Sequence, residues 1–230
     1  MPLTLLQDLR SLLFPHYCFG CGTDALPYNT TLCARCKLSL PETGFFAQSD
    51  NPVAASFIGR IPIQQAGAGY YFTKDSLLQE LLQQLKYKRQ PAIGRLLGRY
   101  IGHFLANAPL YADIDVLLPL PLNAKKLHLR GYNQADEICN GIREVWPKPV
   151  LTHVLERTMH TETQTNKNRL NRWQNMQGSF RVWDKAAIQG KHVLLVDDVM
   201  TTGATLEACG QAILAITGTK LSIATVAWTI

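Results

Sequence analysis

The residues best placed to do chemistry follow an apolar run from His192 to Val196. Two carboxylates, Asp197 and Asp198, come next, and then Thr201, Thr202, Gly203, Ala204 and Thr205 lead into a second apolar stretch. Small hydroxyl residues and a glycine opening a helix expose backbone N–H groups and side-chain donors, and the helix dipole favours a phosphate there. Gly203 would let the backbone turn sharply and approach the anion. Carboxylates beside a phosphate make sense if the ligand carries hydroxyls a few ångströms away, as ribose 5-phosphate does. Thr201 to Thr205 would hold the phosphate, and Asp197 and Asp198 would accept from the 2- and 3-hydroxyls. No lysine follows the glycine, so this is not a Walker A loop, nor is it a G-x-G-x-x-G turn. A structural or metal-binding Asp pair is the competing reading.

A second constellation lies near the amino end. Cys18 and Cys21, then Cys33 and Cys36, form two C-x2-C pairs separated by eleven residues. Four thiolates at this spacing suit a tetrahedral structural zinc, with disulfides and iron–sulfur ligation as alternatives. A closed thiolate site leaves no position for substrate, so its expected role is to fold a segment too short for its own core. Cys139 and Cys209 read as core residues.

Elements must hold these groups in place. Asp75 or Ser76 can cap a helix with Leu77, Leu78, Leu81, Leu82 and Leu85 on one face. Pro91 suits the first turn of another carrying Ile93, Leu96, Leu97, Tyr100, Ile101, Phe104 and Leu105. Gly94, Gly98 and Gly102 recur every fourth residue, which permits close packing against a neighbour. Strands are expected at Ile114 to Leu118, Val150 to Leu155, Phe180 to Val182, His192 to Val196 and Leu221 to Trp228. Helices are expected at Tyr132 to Val145 and Leu206 to Ile216. Short apolar strands alternating with helices predict an α/β fold with a mainly parallel sheet covered on both faces, where ligands bind beyond the carboxyl ends of the strands. The expected organisation is a helix and four-cysteine module over 1–47, a connecting segment over 48–65 and the sheet domain over 66–230.

Composition bounds the partners. In 230 residues, 47% of them hydrophobic, 23 Lys and Arg face 17 Asp and Glu, giving a net charge of +6. That favours phosphates without resembling a strongly basic nucleic-acid arm. No acid occurs between Glu80 and Asp113, where Lys86, Lys88, Arg89, Arg95 and Arg99 form either a positive strip or an ordinary solvated face. No apolar stretch approaches the ~20 residues needed to span a bilayer. Leu3, Leu6, Leu9, Leu12 and Leu13 suggest a short amphipathic helix over Met1 to Phe14 packing on its own protein, with membrane or partner contact as the other reading. No secretory cleavage pattern follows, and the cytoplasm is the expected location.

The strand, acid pair and Thr-Gly loop from Val193 to Thr205 resemble the signature by which type I phosphoribosyltransferases bind phosphoribosyl pyrophosphate. A narrower resemblance, to the competence protein F (ComF/GntX-like) branch, rests on Leu85-Lys86-Tyr87, Pro119-Leu120-Pro121 and Arg130-Gly131-Tyr132-Asn133-Gln134-Ala135. It rests also on Arg157, Gln164, Arg172, Asn175, Phe180 and the cysteine pairs. This resemblance implies a pyrophosphate loop within Pro119 to Gln134, with Arg130 as an anion contact, and a flap over Thr158 to Asn175. The flap segment offers no apolar face, which also fits a plain surface loop, and Lys167 stands where that branch often has leucine. In active relatives pyrophosphate leaves the ribose anomeric carbon with magnesium on the ligand's oxygens. Catalysis is then positioning and electrostatic stabilisation, through Asp197, Asp198 and Arg130. Lys86, Lys88, Arg130 and Arg172 are the implied neutralisers of the leaving group. Two functions follow. One is an enzyme transferring a phosphoribosyl group to an unknown acceptor. The other is a noncatalytic sensor or adaptor in DNA uptake, with single-stranded DNA or uptake proteins as partners; no acceptor pocket is recognisable in the sequence.

Overall fold

A computed structural model describes residues 17–24, 26, 30–158 and 179–229. The expected helix over Met1 to Phe14 and most of the expected flap, Arg172 included, lie outside the described residues.

The elements run α1 (Ala34–Leu38), α2 (Pro52–Ala55), β1 (Ala66–Phe72), α3 (Leu77–Tyr87), α4 (Pro91–Ala106), β2 (Val116–Pro119), α5 (Ala124–Arg130) and α6 (Gln134–Val145). They continue through β3 (Leu155–Arg157), β4 (Phe180–Val182), β5 (His192–Met200), α7 (Ala204–Leu214) and β6 (Lys220–Thr229). Four strands form a parallel sheet in the order β1-β6-β5-β2, and β3 pairs with β4 as a separate antiparallel ribbon.

Side chains alternate across a strand, so each face of β5 serves a different layer. Leu194 and Val196 join a core made with α3, α4 and α6, whereas Val193 and Leu195 join one made with α7 and Phe57. This is the two-sided burial that the apolar strands imply.

Three sequence expectations need amending. Val150 to Leu155 is not one strand: Val150 makes a single parallel bridge to Leu117, and β3 begins only at Leu155. Leu117 donates to the Pro149 carbonyl and accepts from the Leu151 N–H, but the next donor on that edge of β2 would be Pro119, which has no N–H, and the ladder stops. Strand β1 was missed because its Ala-Gly-Ala-Gly start lacks the β-branched run that marks a strand. The third concerns the basic run, where Arg95 Nε lies 2.7 Å from Glu137 and Arg99 Nη1 lies 3.0 Å from Glu144. The positive strip is therefore broken by ion pairs to α6.

The glycine spacing on α4 does what its period suggests. A Cβ at Gly94 would lie 2.8 Å from the Glu137 Cβ, and one at Gly102 would lie 3.0 Å from the Ile142 oxygen. At Gly98 it would overlap the Ile138 carbonyl, and Gly141 on α6 is equally tight against the Arg95 backbone. The two helices meet backbone to backbone, with no room for a side chain.

Ser76 caps α3 by accepting from the Gln79 N–H, and Asn51 caps α2 from 3% exposure while donating to the Gln48 and Ala66 carbonyls. Among the described residues no helix is long and apolar enough to cross a membrane.

Gly98→Ala is expected to destabilise the chain by about 1–3 kcal/mol through overpacking of α4 on α6. Denaturant unfolding checks this. A change within error would mean that the helices separate without cost.

Candidate functional site

Strand β5 runs four residues beyond Val196, to Met200, and carries Asp197 and Asp198 near its carboxyl end. The chain then turns through Thr201 and Thr202 to Gly203, whose φ of +73° is left-handed, and enters α7 at Ala204. A side chain is strained at that φ, and a Cβ there would also meet Met200 Cε at 3.0 Å and Phe57 at 3.2 Å. The glycine thus allows the turn and lets Phe57 pack beneath it. Asp197, Thr201, Thr202, Gly203, Ala204 and Thr205 line a concavity of about 50 Å3 at the start of α7. A larger, mostly apolar groove of about 420 Å3, beside Phe46 and Phe104, shares none of these residues.

The acid pair is not isolated. Lys86 Nζ reaches across from α3 to within 2.9 Å of Asp198 Oδ2, and the Asp198 N–H donates to Asp197 Oδ1 at 2.8 Å. Burial and then the neighbouring Asp198 carboxylate push the Asp197 carboxyl up to about 8; the Asp198 N–H, Lys86 and Arg157 oppose the rise without cancelling it.

The segments that carry Lys86 and Arg130 are joined. The Tyr132 hydroxyl donates to the Leu85 carbonyl, and the Arg130 guanidinium stands 5.5 Å from the centre of the Tyr87 ring. Asn133 caps α6 through the Ala135 N–H and donates to the Leu120 carbonyl at 3.0 Å. Leu85-Lys86-Tyr87, Pro119-Leu120-Pro121 and Arg130 to Ala135 therefore meet at one end of the sheet. Helix α5 stands out beside them with no buried residue, and exposes Lys125, Lys126, Leu127 and Leu129. Lys88, at the end of α3, is exposed, and no ion pair is seen for it among the described residues.

Sequence reasoning passed over Arg60. From the turn after α2 it donates to Glu207 (Nε, 2.9 Å), to the Thr202 carbonyl (Nη1, 3.0 Å) and to the Ser56 carbonyl (2.9 Å). No local pattern marks it, since Thr202 and Glu207 lie 142 and 147 residues away in the chain.

The four cysteine sulfurs all lie within 4.8 Å of one another. Cys21 Sγ and Cys33 Sγ are 3.7 Å apart, too far for a disulfide and close to the ~3.8 Å edge of a tetrahedron with ~2.3 Å metal–sulfur bonds. Burial opposes ionisation of Cys18, but N–H groups of Cys33, Cys21 and Gly20 and the Cys21 thiol outweigh it and bring the thiol down to about 6. The cluster fits a metal ion. It packs on α3: a Cβ at Gly20 would touch both Cys36 and Leu77 at 2.8 Å, and Gln84 donates to the Phe19 carbonyl.

Known proteins are similar to this chain in sequence. The family described as "Phosphoribosyl transferase domain" matches residues 129–228. Competence protein F of Haemophilus influenzae is 29% identical over 84% of this chain and 76% of its own length. DNA utilization protein YhgH of Escherichia coli is 30% identical over 60% of this chain and 61% of its own. The chain is thus similar to ComF-like proteins, and its carboxyl-terminal half carries the phosphoribosyl transferase domain match. Another ComF-like relative, Competence protein ComFC of Bacillus subtilis, is 25% identical over 62% of this chain and 56% of its own. Among solved structures, the glutamine phosphoribosylpyrophosphate amidotransferase of Bacillus subtilis, complexed with ADP and GMP, superposes with a TM-score of 0.44 at 16% identity, covering 63% of this chain and 30% of that one.

The raised Asp197 carboxyl has a consequence for stability. The folded chain holds that proton more tightly than the unfolded chain, so the contribution is intact below the ordinary value of 3.8 and is lost as pH rises toward about 8. Asp197→Asn should therefore stabilise the ligand-free protein at pH 8 and gain progressively less as pH falls toward 4. Melting temperatures across that range test it, and a pH-independent difference would contradict the assignment.

Proposed function

We propose that the concavity at the start of α7 binds the 5-phosphate of phosphoribosyl pyrophosphate or ribose 5-phosphate, with Asp197 and Asp198 accepting from the ribose hydroxyls. The observation that carries this is the placement of an acid pair and a left-handed Gly203 turn at the carboxyl end of a central parallel strand. A phosphate in the turn would face the N–H groups opening α7. The ribose of the same ligand would lie toward the carboxylates.

The Lys86–Asp198 pair fits a site that waits for its ligand. Ribose hydroxyls donating to Asp198 would release Lys86 toward the pyrophosphate, where Lys88 and Arg130 can assist. Magnesium would enter with the pyrophosphate, shielding its charge. These residues hold and neutralise a leaving group, which is what transfer from the anomeric carbon requires. Transfer to an acceptor is the enzymatic reading. The relatives' names, competence and DNA utilization, support a second one, in which a ligand-sensing protein serves DNA uptake. The exposed basic face of α5 beside Tyr87 and Arg130 suits a single strand, because cations follow the phosphates while an aromatic ring stacks a base.

Calorimetry and melting in the presence of magnesium test the ligand. At roughly one hundred times the dissociation constant, phosphoribosyl pyrophosphate should stabilise the protein by about 2.7 kcal/mol, a melting shift of roughly 5 to 10 °C. Asp197→Asn with Asp198→Asn should lose most of that shift while inorganic phosphate still binds. No shift and no heat at millimolar ligand would remove the assignment. Pyrophosphate release with added bases and amines separates enzyme from sensor. The same titration with a thymidine oligomer at rising salt reports DNA contact, with a slope near ~0.7 per phosphate neutralised.

For the cysteine cluster we propose zinc, held by Cys18, Cys21, Cys33 and Cys36 to fold the segment onto α3. Protein purified under reducing conditions without chelator should carry about one zinc per chain. Cys33→Ser should release it and lower the melting temperature. Metal analysis finding iron, or nothing, would refute zinc.

A further inference from the structure

The loop that lines the concavity is held from behind. Arg60 does not line the concavity, yet its Nη1 takes the Thr202 carbonyl at 3.0 Å while its Nε binds Glu207 at 2.9 Å. The guanidinium is held further, because Nη1 also donates to the Ser56 carbonyl at 2.9 Å and Cζ stands 5.7 Å from the centre of the Phe57 ring, and Phe57 is the residue on which Gly203 packs.

Two consequences follow from elementary geometry and charge. The Thr202–Gly203 peptide is planar and trans, so its C=O and N–H point to opposite sides. A donor outside the concavity that captures the Thr202 carbonyl turns the Gly203 N–H the other way, toward the lining. Glu207 is the acid in the first turn of α7 and its side chain is 11% exposed. Unpaired, its carboxylate would suit the helix dipole but repel an anion bound at the same helix start. Paired with Arg60 it does neither.

We infer that Arg60 is the positioning residue of the phosphate loop, aiming the Gly203 N–H at the anion and cancelling the charge of Glu207. The inference rests on the phosphate reading of the concavity. It makes the short α2 segment, distant in sequence from the acid pair, part of the anion-binding apparatus. It also gives Arg60 a role that lysine cannot fill, because one ammonium cannot serve the Thr202 carbonyl and Glu207 in the fixed geometry of a guanidinium.

The test uses the full chain with two probes, inorganic phosphate and phosphoribosyl pyrophosphate with magnesium. The double variant R60M/E207Q keeps the local charge balanced while removing the grip on Thr202. It should bind both probes about tenfold more weakly, the loss expected for one charge-assisted hydrogen bond set. In wild type, adding phosphate should shift the Gly203 amide resonance, and in R60M/E207Q that shift should vanish while the resonances of the β5 core stay in place. R60K should fall between the two, and it serves as the measurement if the double variant does not fold. Wild-type affinity together with an intact Gly203 shift in both variants would overturn the role of Arg60 and leave the phosphate site standing. Failure of wild type to bind either probe would remove the site, and this role with it.

Discussion

Two neighbouring carboxylates repel each other and resist leaving water. Asp197 and Asp198 stand side by side at the end of a strand whose preceding five residues are all buried, and the surrounding structure is arranged to bear that cost. Lys86 supplies a countercharge to Asp198, the Asp198 N–H serves Asp197, and Asp197 is pushed toward its protonated form. Each of these depends on something further away. Lys86 reaches the acids because Leu78, Leu81, Leu82 and Leu85 seat α3 on the sheet and because Tyr132 holds the Leu85 carbonyl. Local destabilisation of this kind is common where a ligand is meant to complete the electrostatics.

The helices around the site are rigid for a different reason. Contact between α4 and α6 is made by backbone at Gly98 and Gly141, so neither helix can shift without opening a gap. That contact fixes the start of α6, where Asn133 ties the Arg130 segment to the Leu120 carbonyl. Packing far from the acids therefore sets where the cations sit. The cysteine cluster extends the same support: Phe19 and Gly20 of its first pair rest on α3 at Gln84 and Leu77, so a metal there would brace the helix that presents Lys86.

Much of this was legible in the chain itself. Helix α3, helix α4 and the central strand follow from apolar spacing and from their caps, and the glycines on α4 announced close packing before any partner was known. The acid pair and the Thr201 to Thr205 turn were identifiable because all their parts are consecutive. The cysteine cluster was identifiable because its spacing alone limits what four thiols can do. Strand β1 escaped because its glycines are tolerated only where a neighbour covers them, as Phe46 and Ile101 do at Gly67 and Gly69. The Val150 strand was overstated because apolar residues there pack without a ladder once Pro119 fails to supply the next donor.

What the sequence determined by itself was therefore local: which segments are amphipathic, which turn is the candidate anion site, and which cysteines can gather. Tertiary structure decided the pairings. Arg95 and Arg99 read as free cations until α6 brought Glu137 and Glu144 against them. Lys86, a candidate pyrophosphate contact in the sequence, gains its pairing with Asp198 only from the fold, and Arg60 read as nothing until it met Thr202 and Glu207. The physical reason is that a charge acts through a few ångströms of space, and spatial distance between residues 60 and 207 is fixed by sheet order and helix packing. Neither is written in any short stretch of chain.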